Sequence, residues 1–138
     1  YQAKVDIRDE QIVGEEALVR FKDPTDNGAI RAPGFFVPYY EQTGRITEID
    51  FFVMESVCRM LRRRIDEGRR VVPVSCNFSR MHFVKEGFPE KIKAVLNKYQ
   101  VPKELIEVGQ GECVESACKR CQAVHRRLWF GLFISGGI

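Results

Sequence analysis

The short connection between the first two predicted strands limits the fold of this chain more than any other feature. Residues 1–7 and 12–21 show the alternation and the β-branched residues typical of strands, and only residues 8–11 separate them. Parallel neighbours need a dozen or more connecting residues, so strands this close must pair antiparallel. Any barrel built from this chain therefore begins with an antiparallel strand.

Helices and strands alternate after this hairpin. Such alternation is typical of a parallel sheet with right-handed crossovers, and it leaves open a doubly wound sheet or part of a barrel. The predicted helices cover residues 47–67, 89–99 and 115–128, and the predicted strands cover residues 71–77, 105–108 and 132–135.

The helix over residues 47–67 carries the strongest pattern. Its apolar stripe is expected to comprise Ile49, Val53, Val57, Leu61 and Ile65, widened by Phe52 and Met60. Thr47 with Asp50 resembles a capping box, and Gly68 lies where a left-handed C-cap is expected. Before this helix, Pro33 and Pro38 predict an irregular segment that precedes a short helical turn over residues 39–43.

Composition excludes several classes of protein. With 44% hydrophobic and 30% charged residues, the chain reads as one globular domain, and no apolar run approaches the roughly 20 residues of a membrane span. The net charge of +3 does not point to a nucleic-acid polymer. Five cysteines without a secretory signal are typical of free thiols, so a cytoplasmic location is expected.

Polar side chains at successive strand ends predict a metal or ligand site. The period of two over residues 12–21 puts Glu16, Leu18 and Arg20 on the face opposite an apolar one, and in a barrel Glu16 and Arg20 are expected to point inward near the mouth. An edge strand with a solvated polar face is the structural alternative. Asn77 ends the next strand and Glu112 follows the one after it. Two carboxylates and an amide without histidine suit Mg²⁺ better than zinc.

Ordered motifs along the chain carry a family resemblance. They are Tyr1-Gln2 with residues 4–6, then residues 14–20, then residues 33–38 with Glu41, Thr43-Gly44 and residues 46–50, and finally residues 74–79. Together they resemble the EAL family of bacterial cyclic-di-GMP phosphodiesterases. The resemblance covers essentially the whole chain and is strongest over residues 1–108.

The resemblance implies both a fold and a chemistry. The fold is a modified (β/α)₈ TIM-type barrel with an antiparallel first strand, and the reaction is hydrolysis of cyclic di-GMP to linear pGpG with Mg²⁺ or Mn²⁺. Glu16, Asn77 and Glu112 match the metal-ligand positions of the family. Gln2, Leu18 and Arg20 match positions that contact the dinucleotide. A sensor or diguanylate cyclase-type domain is an expected neighbour in a longer chain.

Departures from the family pattern weaken the catalytic expectation. Residues 109–112 retain only the final Glu112 of a Glu, hydrophobic, Thr, Glu pattern, and residues 136–138 stand where paired aspartates are expected. The downstream lysine is missing as well, so no catalytic set is intact and the chain alone is expected to be inactive. One alternative is a degenerate module that binds cyclic di-GMP or another protein. The other is a truncated product with no function of its own.

Length agrees with an incomplete domain. A complete barrel takes about 250 residues, whereas this chain has 138, begins without Met and ends directly after an apolar run. Residues 1–138 are therefore expected to form a single truncated EAL domain of about half a barrel. Open strand edges and an uncovered interior favour self-association.

Weaker signals receive structural interpretations. Tyr39 and Tyr40 are expected to pack near the mouth of the barrel, and His82 is expected at the surface. A metal cluster is one interpretation of Cys113, Cys118 and Cys121 with His125. Core packing or plain surface thiols are the preferred interpretation. Solvated helix faces are preferred to anion sites for Lys119, Arg120, Arg126 and Arg127 and for Arg62, Arg63, Arg64, Arg69 and Arg70.

Overall fold

A computed structural model describes residues 1–110 of the chain. The predicted helix over residues 115–128 and the predicted strand over residues 132–135 lie outside the described residues. The strands are β1 (Gln2–Val5), β2 (Ile12–Ala17), β3 (Phe21–Asp23), β4 (Ala29–Arg31), β5 (Val74–Phe78) and β6 (Ile106–Gln110). The helices are α1 (Pro33–Gln42), α2 (Ile46–Asp66) and α3 (Phe88–Tyr99).

A four-stranded sheet in the order β1-β2-β5-β6 organises the described part. β1 runs antiparallel to β2, with Gln2 opposite Glu16, as the short connection requires. β5 pairs parallel with both β2 and β6, so the predicted parallel sheet is confirmed. Pro73 precedes β5 and its carbonyl accepts the Glu15 N–H at 2.8 Å, so the proline removes no donor from that strand.

The single strand predicted over residues 12–21 is wrong. β2 ends at Ala17, and the chain resumes as β3, which pairs antiparallel with β4 in a separate two-stranded sheet. The interruption at residues 18–20 lets Phe21 leave the main sheet and pack against Phe36 of α1, with ring centroids 5.8 Å apart. The alternation that put Leu18 and Arg20 on the face of Glu16 therefore stops before it reaches them.

The irregular segment predicted over residues 33–38 is also wrong, because α1 spans both prolines. Pro33 occupies the first turn, where its missing N–H costs no helical bond. Pro38 lies inside the helix and removes one backbone bond. Packing offsets this loss: Phe36 is buried and meets Tyr40 edge to face at 6.3 Å. Tyr40 thus packs as expected, whereas Tyr39 is exposed.

α2 confirms the predicted helix but not the whole stripe. Its most buried side chains are Met54, Val57, Cys58 and Leu61, whereas Phe52 is 66% exposed. No side chain caps its start at Arg45, and the hydroxyl of Thr47 bonds to the Gly44 carbonyl at 3.4 Å, so the predicted capping box is wrong. The C-cap prediction is confirmed, since Gly68 has φ +65° and its N–H donates to the Ile65 carbonyl.

The hydrophobic core lies between β5 and the helices α2 and α3. Val74, Cys76 and Phe78 alternate along β5 toward the helices. Two free cysteines, Cys58 and Cys76, are fully buried in this core. Burial raises the pKa of Cys58 to about 11 and that of Cys76 to about 12, so both thiols stay protonated at neutral pH.

Truncating Leu61 tests the observed position of the α2 stripe. Leu61→Ala is expected to lower the free energy of unfolding by roughly 2–5 kcal/mol, because it removes a fully buried side chain and leaves a cavity. Phe52→Ala, the control on the same helix, is expected to change it by less than about 0.5 kcal/mol. Urea unfolding measures both values, and similar losses in the two variants would contradict the observed stripe.

Candidate functional site

Two of the predicted metal ligands meet at one edge of the sheet. Glu16 and Asn77 each stand one residue before the end of their strands, β2 and β5. The strands are parallel and adjacent, so their carboxyl ends lie side by side, and Asn77 Nδ2 donates to Glu16 Oε1 at 2.7 Å. The third predicted ligand, Glu112, lies outside the described residues.

A glycine on the neighbouring strand leaves room beside the Asn77 amide. Gly109 of β6 is the register partner of Asn77, and a Cβ placed on it would lie only 3.0 Å from Asn77 Oδ1. Any larger residue would press on that oxygen. Asn77 Nδ2 is already bonded to Glu16. Because Gly109 has no side chain, Asn77 Oδ1 remains the accessible polar atom of the amide.

The three predicted dinucleotide contacts lie in different surroundings. Gln2 is exposed and opposite Glu16 in the β1–β2 register, which places it beside the pair. Leu18 is half-buried and lines the same cleft as Glu16 and Asn77. Arg20 is exposed, and its guanidinium donates to the carbonyl of Val19 at 2.8 Å.

An open cleft of about 680 Å³ adjoins the strand ends. Its walls come from the end of β2, from α1, from the first turns of α2 and from the loop after β5. Apolar side chains form much of the lining, and a few polar groups converge in it, which is the usual composition of a ligand site. Those polar groups belong to Glu16, Glu41, Asp50, Asn77, Ser79 and Arg80.

Asp50, which lines this cleft, belongs to a buried acid–histidine pair that was not predicted from the sequence. Asp50 Oδ2 accepts the Ser79 N–H at 2.8 Å and lies 3.1 Å from His82 Nε2. The surface position predicted for His82 is wrong: only 4% of the residue is exposed, because its ring packs among Phe51, Phe78 and Phe88. The signal available in the sequence was Asp50 on the buried side of α2.

Burial shifts the pKa of each member of this pair in the direction that favours its neutral form. It raises the pKa of Asp50 to about 6, with a smaller contribution from Glu41. It lowers the pKa of His82 to about 4, and the charges of Lys85 and Lys91 act in the same direction. At neutral pH His82 is therefore an uncharged donor to the Asp50 carboxylate.

A second polar cluster lies on the same face of the sheet as Glu16. Lys4 Nζ bonds to Glu107 Oε2 at 2.6 Å, and it also contacts Ser75 Oγ, which bonds to the same carboxylate. Partial burial opposes ionisation of Glu107, but the hydrogen bonds from Lys4 and Ser75 outweigh it and lower its pKa. The period of two along β5 and β6, which aligns Ser75 with Asn77 and Glu107 with Gly109, was the available signal.

The structure accounts for some of the other side chains that were considered from the sequence. Arg63, Arg69 and Arg70 are exposed, as a solvated face predicts, but Arg64 is half-buried and donates to Glu15 at 2.8 Å. Among residues 1–110, no three His, Cys, Asp or Glu side chains lie close enough together to hold a metal ion. Across the same residues no helix is long and apolar enough to cross a membrane. Cys113, Cys118, Cys121, His125 and residues 136–138 lie outside the described part.

Parallel strands with polar side chains at their carboxyl ends place this chain among α/β proteins that build their sites at strand ends. A family model for the EAL domain matches residues 1–132, so the chain belongs to the EAL domain family. The resemblance noted from the sequence is thereby confirmed.

Curated relatives agree with this assignment. The signaling protein YkoW of Bacillus subtilis is 34% identical over 108 residues, which cover 78% of this chain and 13% of YkoW. The bifunctional diguanylate cyclase/cyclic di-GMP phosphodiesterase MucR of Pseudomonas aeruginosa is 32% identical over 119 residues, which cover 85% of this chain and 17% of MucR. The chain thus spans less than a fifth of the length of either relative.

Solved structures show the same fold. A c-di-GMP complex of the PaMucR phosphodiesterase aligns with a TM-score of 0.76 at 24% identity, covering 96% of this chain and 53% of that one. The EAL domain of Xanthomonas citri FimX, in complex with c-diGMP, aligns with a TM-score of 0.64 at 22% identity, covering 84% and 42%. The mixed α/β arrangement of parallel strands and helices is therefore similar to that of EAL structures.

The Asp50–His82 pair predicts opposite pH dependences for its two members. From about pH 4 to 6 folded Asp50 keeps a proton that the unfolded chain has released, so its contribution to stability falls as pH rises. From about pH 4 to 6.5 unfolded His82 binds a proton that the folded state lacks, so its contribution rises with pH. In the parent chain the two contributions largely cancel.

Single substitutions are expected to separate these contributions. Relative to the parent, His82→Gln is expected to lose stability as the pH rises from 4 to 6, and Asp50→Asn is expected to gain it. Urea unfolding at half-unit pH steps gives both slopes. Slopes of the same sign in the two variants would contradict this assignment of protons.

Proposed function

We propose that residues 1–138 form the N-terminal part of an EAL-type cyclic-di-GMP phosphodiesterase domain, and that this part alone does not hydrolyse the dinucleotide. The observation that carries the proposal is the 2.7 Å contact of Asn77 with Glu16 at the carboxyl ends of adjacent parallel strands, with Gln2 beside it. The similarity to phosphodiesterase structures supports a partial (β/α)₈ barrel, in which β1 is the antiparallel first strand. Residues 1–138 are then one incomplete domain.

The chemistry of the two side chains fits Mg²⁺ or Mn²⁺. Mg²⁺ takes oxygen ligands and commonly binds through one or two carboxylates together with substrate phosphates and water. Glu16 and the Asn77 amide oxygen supply such a pair, and Glu112 is proposed as a third ligand. The cation would supply Lewis-acid stabilisation of the phosphate and activation of water.

The residues of this chain would bind and orient the dinucleotide. Leu18 gives the cleft an apolar contact beside the polar pair, and Gln2 offers an amide to the ligand. Arg20 bonds to the Val19 carbonyl through one guanidinium nitrogen, and its remaining N–H groups suit a phosphate oxygen. The lack of turnover is inferred from the sequence, which has glycines and Ile138 at the expected positions of the paired aspartates.

The alternative function is a non-catalytic module that binds cyclic di-GMP or another protein in bacterial signalling. The converging polar groups of the cleft favour retained ligand binding. MucR carries the name of a diguanylate cyclase and DosP of Escherichia coli that of an oxygen sensor, which supports a cyclase or sensor domain as partner in a longer chain. The buried free thiols Cys58 and Cys76 support a reducing, cytoplasmic compartment.

Self-association is a further part of the proposal. β1 and β6 are the outer strands of the described four-stranded sheet, and Val5, Ile12 and Val13 of the first hairpin are exposed. Unpaired strand edges and exposed apolar side chains both favour pairing with another chain. Light scattering behind size exclusion tests this, and a monodisperse monomer at high concentration would contradict it.

Calorimetry with cyclic di-GMP and Ca²⁺ tests the binding site. Arg20→Ala is expected to weaken binding by about 10- to 100-fold, because hydrogen bonds to a charged group contribute roughly 1.5–3 kcal/mol. Arg63→Ala, an exposed arginine of α2 that pairs with Glu67 at 3.7 Å, is the matched control and should bind like the parent. Equal affinity of Arg20→Ala and the parent would make the binding assignment wrong.

A turnover assay with Mn²⁺ tests catalysis separately. The chain is expected to release no pGpG above the level of a Glu16→Gln variant, because the set of metal ligands is incomplete. Product that appears with the parent and disappears with Glu16→Gln would overturn the proposed inactivity while supporting the site. Binding without turnover would favour the non-catalytic alternative.

A further inference from the structure

Asp50 is a polar residue in an apolar position. It stands four residues before Met54 on the buried side of α2, and 7% of it is exposed. Burying a carboxylate is unfavourable unless hydrogen bonds compensate for the lost water. Asp50 therefore needs its two partners, the Ser79 N–H at 2.8 Å and His82 Nε2 at 3.1 Å.

Both partners belong to the junction that follows Asn77. β5 ends at Phe78, and Ser79 caps the 3₁₀ turn Arg80–His82 by accepting the Met81 N–H with its hydroxyl at 3.4 Å. The carboxylate thus bonds to the first residue of the junction and to the last residue of the turn. One side chain of α2 fixes both ends of this short segment.

The ring of His82 is itself held in place by aromatic side chains. It stacks on Phe88 of α3 at a centroid distance of 4.8 Å and 26° between planes, and it meets Phe51 and Phe78 edge to face at 5.2 and 5.3 Å. Such contacts fix the direction of the ring and hence that of Nε2. His82 therefore links α2, β5 and α3 through its ring contacts, behind the Asp50 side chain that lines the cleft.

We propose that His82 is a positioning residue: through the Asp50 carboxylate and the Ser79 N–H it fixes the junction after β5 and keeps the Asn77 amide bonded to Glu16. The Asn77 side chain leaves the backbone two residues before Ser79, so a shift of the junction moves the amide. The effect of His82 on ligand binding rests on the proposed function, whereas its effect on the position of the Asn77 amide does not. Groups that orient ligand side chains commonly affect metal affinity about 10- to 100-fold.

The side-chain amide of Asn77 reports the geometry directly. Its ¹⁵N NMR signal is assigned through its loss in Asn77→Ser. The hydrogen that Nδ2 donates to Glu16 is expected to exchange slowly with solvent. In His82→Leu this exchange is expected to become about fivefold faster or more, because a typical hydrogen bond contributes about 1 kcal/mol. His82→Gln keeps a donor and should restore the slow exchange. Unchanged exchange in folded His82→Leu would overturn the proposal.

A loss of stability alone must be distinguished from a loss of position. Leu96→Ala removes a buried side chain of α3 that lies eight residues, about two turns, beyond Phe88, so it should lower the melting temperature and leave the Asn77 signal unchanged. Equal effects of Leu96→Ala and His82→Leu on hydrogen exchange of the Asn77 amide would show that His82 acts only through core packing and would overturn the proposal.

A backbone test covers the case in which His82→Leu does not fold. Ser79 has φ −61° and ψ 146°, which proline adopts without strain, so Ser79→Pro removes the N–H that Asp50 accepts. Ser79→Ala loses the same hydroxyl but keeps that N–H. Faster exchange of the Asn77 amide is expected in the proline variant only, and equal behaviour of the two variants would overturn the proposal.

Ligand binding separates this inference from the proposed function. If the parent chain binds cyclic di-GMP with Ca²⁺, His82→Leu should weaken binding about tenfold, whereas Leu96→Ala should bind normally. If the parent does not bind, the proposed function fails while the NMR comparison still decides the geometric role. Normal binding by folded His82→Leu would overturn its role in the site.

Discussion

The parallel pairing of β2 with β5 is the interaction on which the rest of the structure depends. Its register places Glu16 opposite Ser75, and the backbone bond from Glu15 to Pro73 starts the pairing. A slip of one residue would turn Glu16 toward the helices and Ala17 toward the open face. The contact of Glu16 with Asn77 and the cleft beside the two strand ends both require this register.

Much of the fold follows from local patterns in the sequence. The six-residue connection between β1 and β2 is too short for a parallel pair and dictates their antiparallel pairing, and the repeat through Val57 and Leu61 predicts α2 nearly to its ends. The errors arise where tertiary contacts override local preference. α1 tolerates Pro38 because Phe36 is buried, and β2 stops at Ala17 although neither glycine nor proline follows it within three residues.

The candidate site is predictable only where it follows the topology. Glu16 and Asn77 could be paired from the sequence because parallel strands bring their carboxyl ends to one edge of a sheet. Asp50 and His82 could not, since they are 32 positions apart and no local pattern relates them. The capping interpretation of Asp50 used a real local preference, but the carboxylate is buried and serves a distant backbone N–H. Lys4 and Glu107, 103 positions apart, show the same limit.

The burial of Cys58 and Cys76 gives the core an internal chemical reporter. Alkylating reagents attack the thiolate, and both groups are held protonated and away from solvent by the packing of α2 on β5. Modification of either sulfur then requires the helix to separate from the strand. The rate of labelling at these two positions, followed by mass spectrometry, would therefore measure how often the layer behind the cleft opens while the protein remains folded overall.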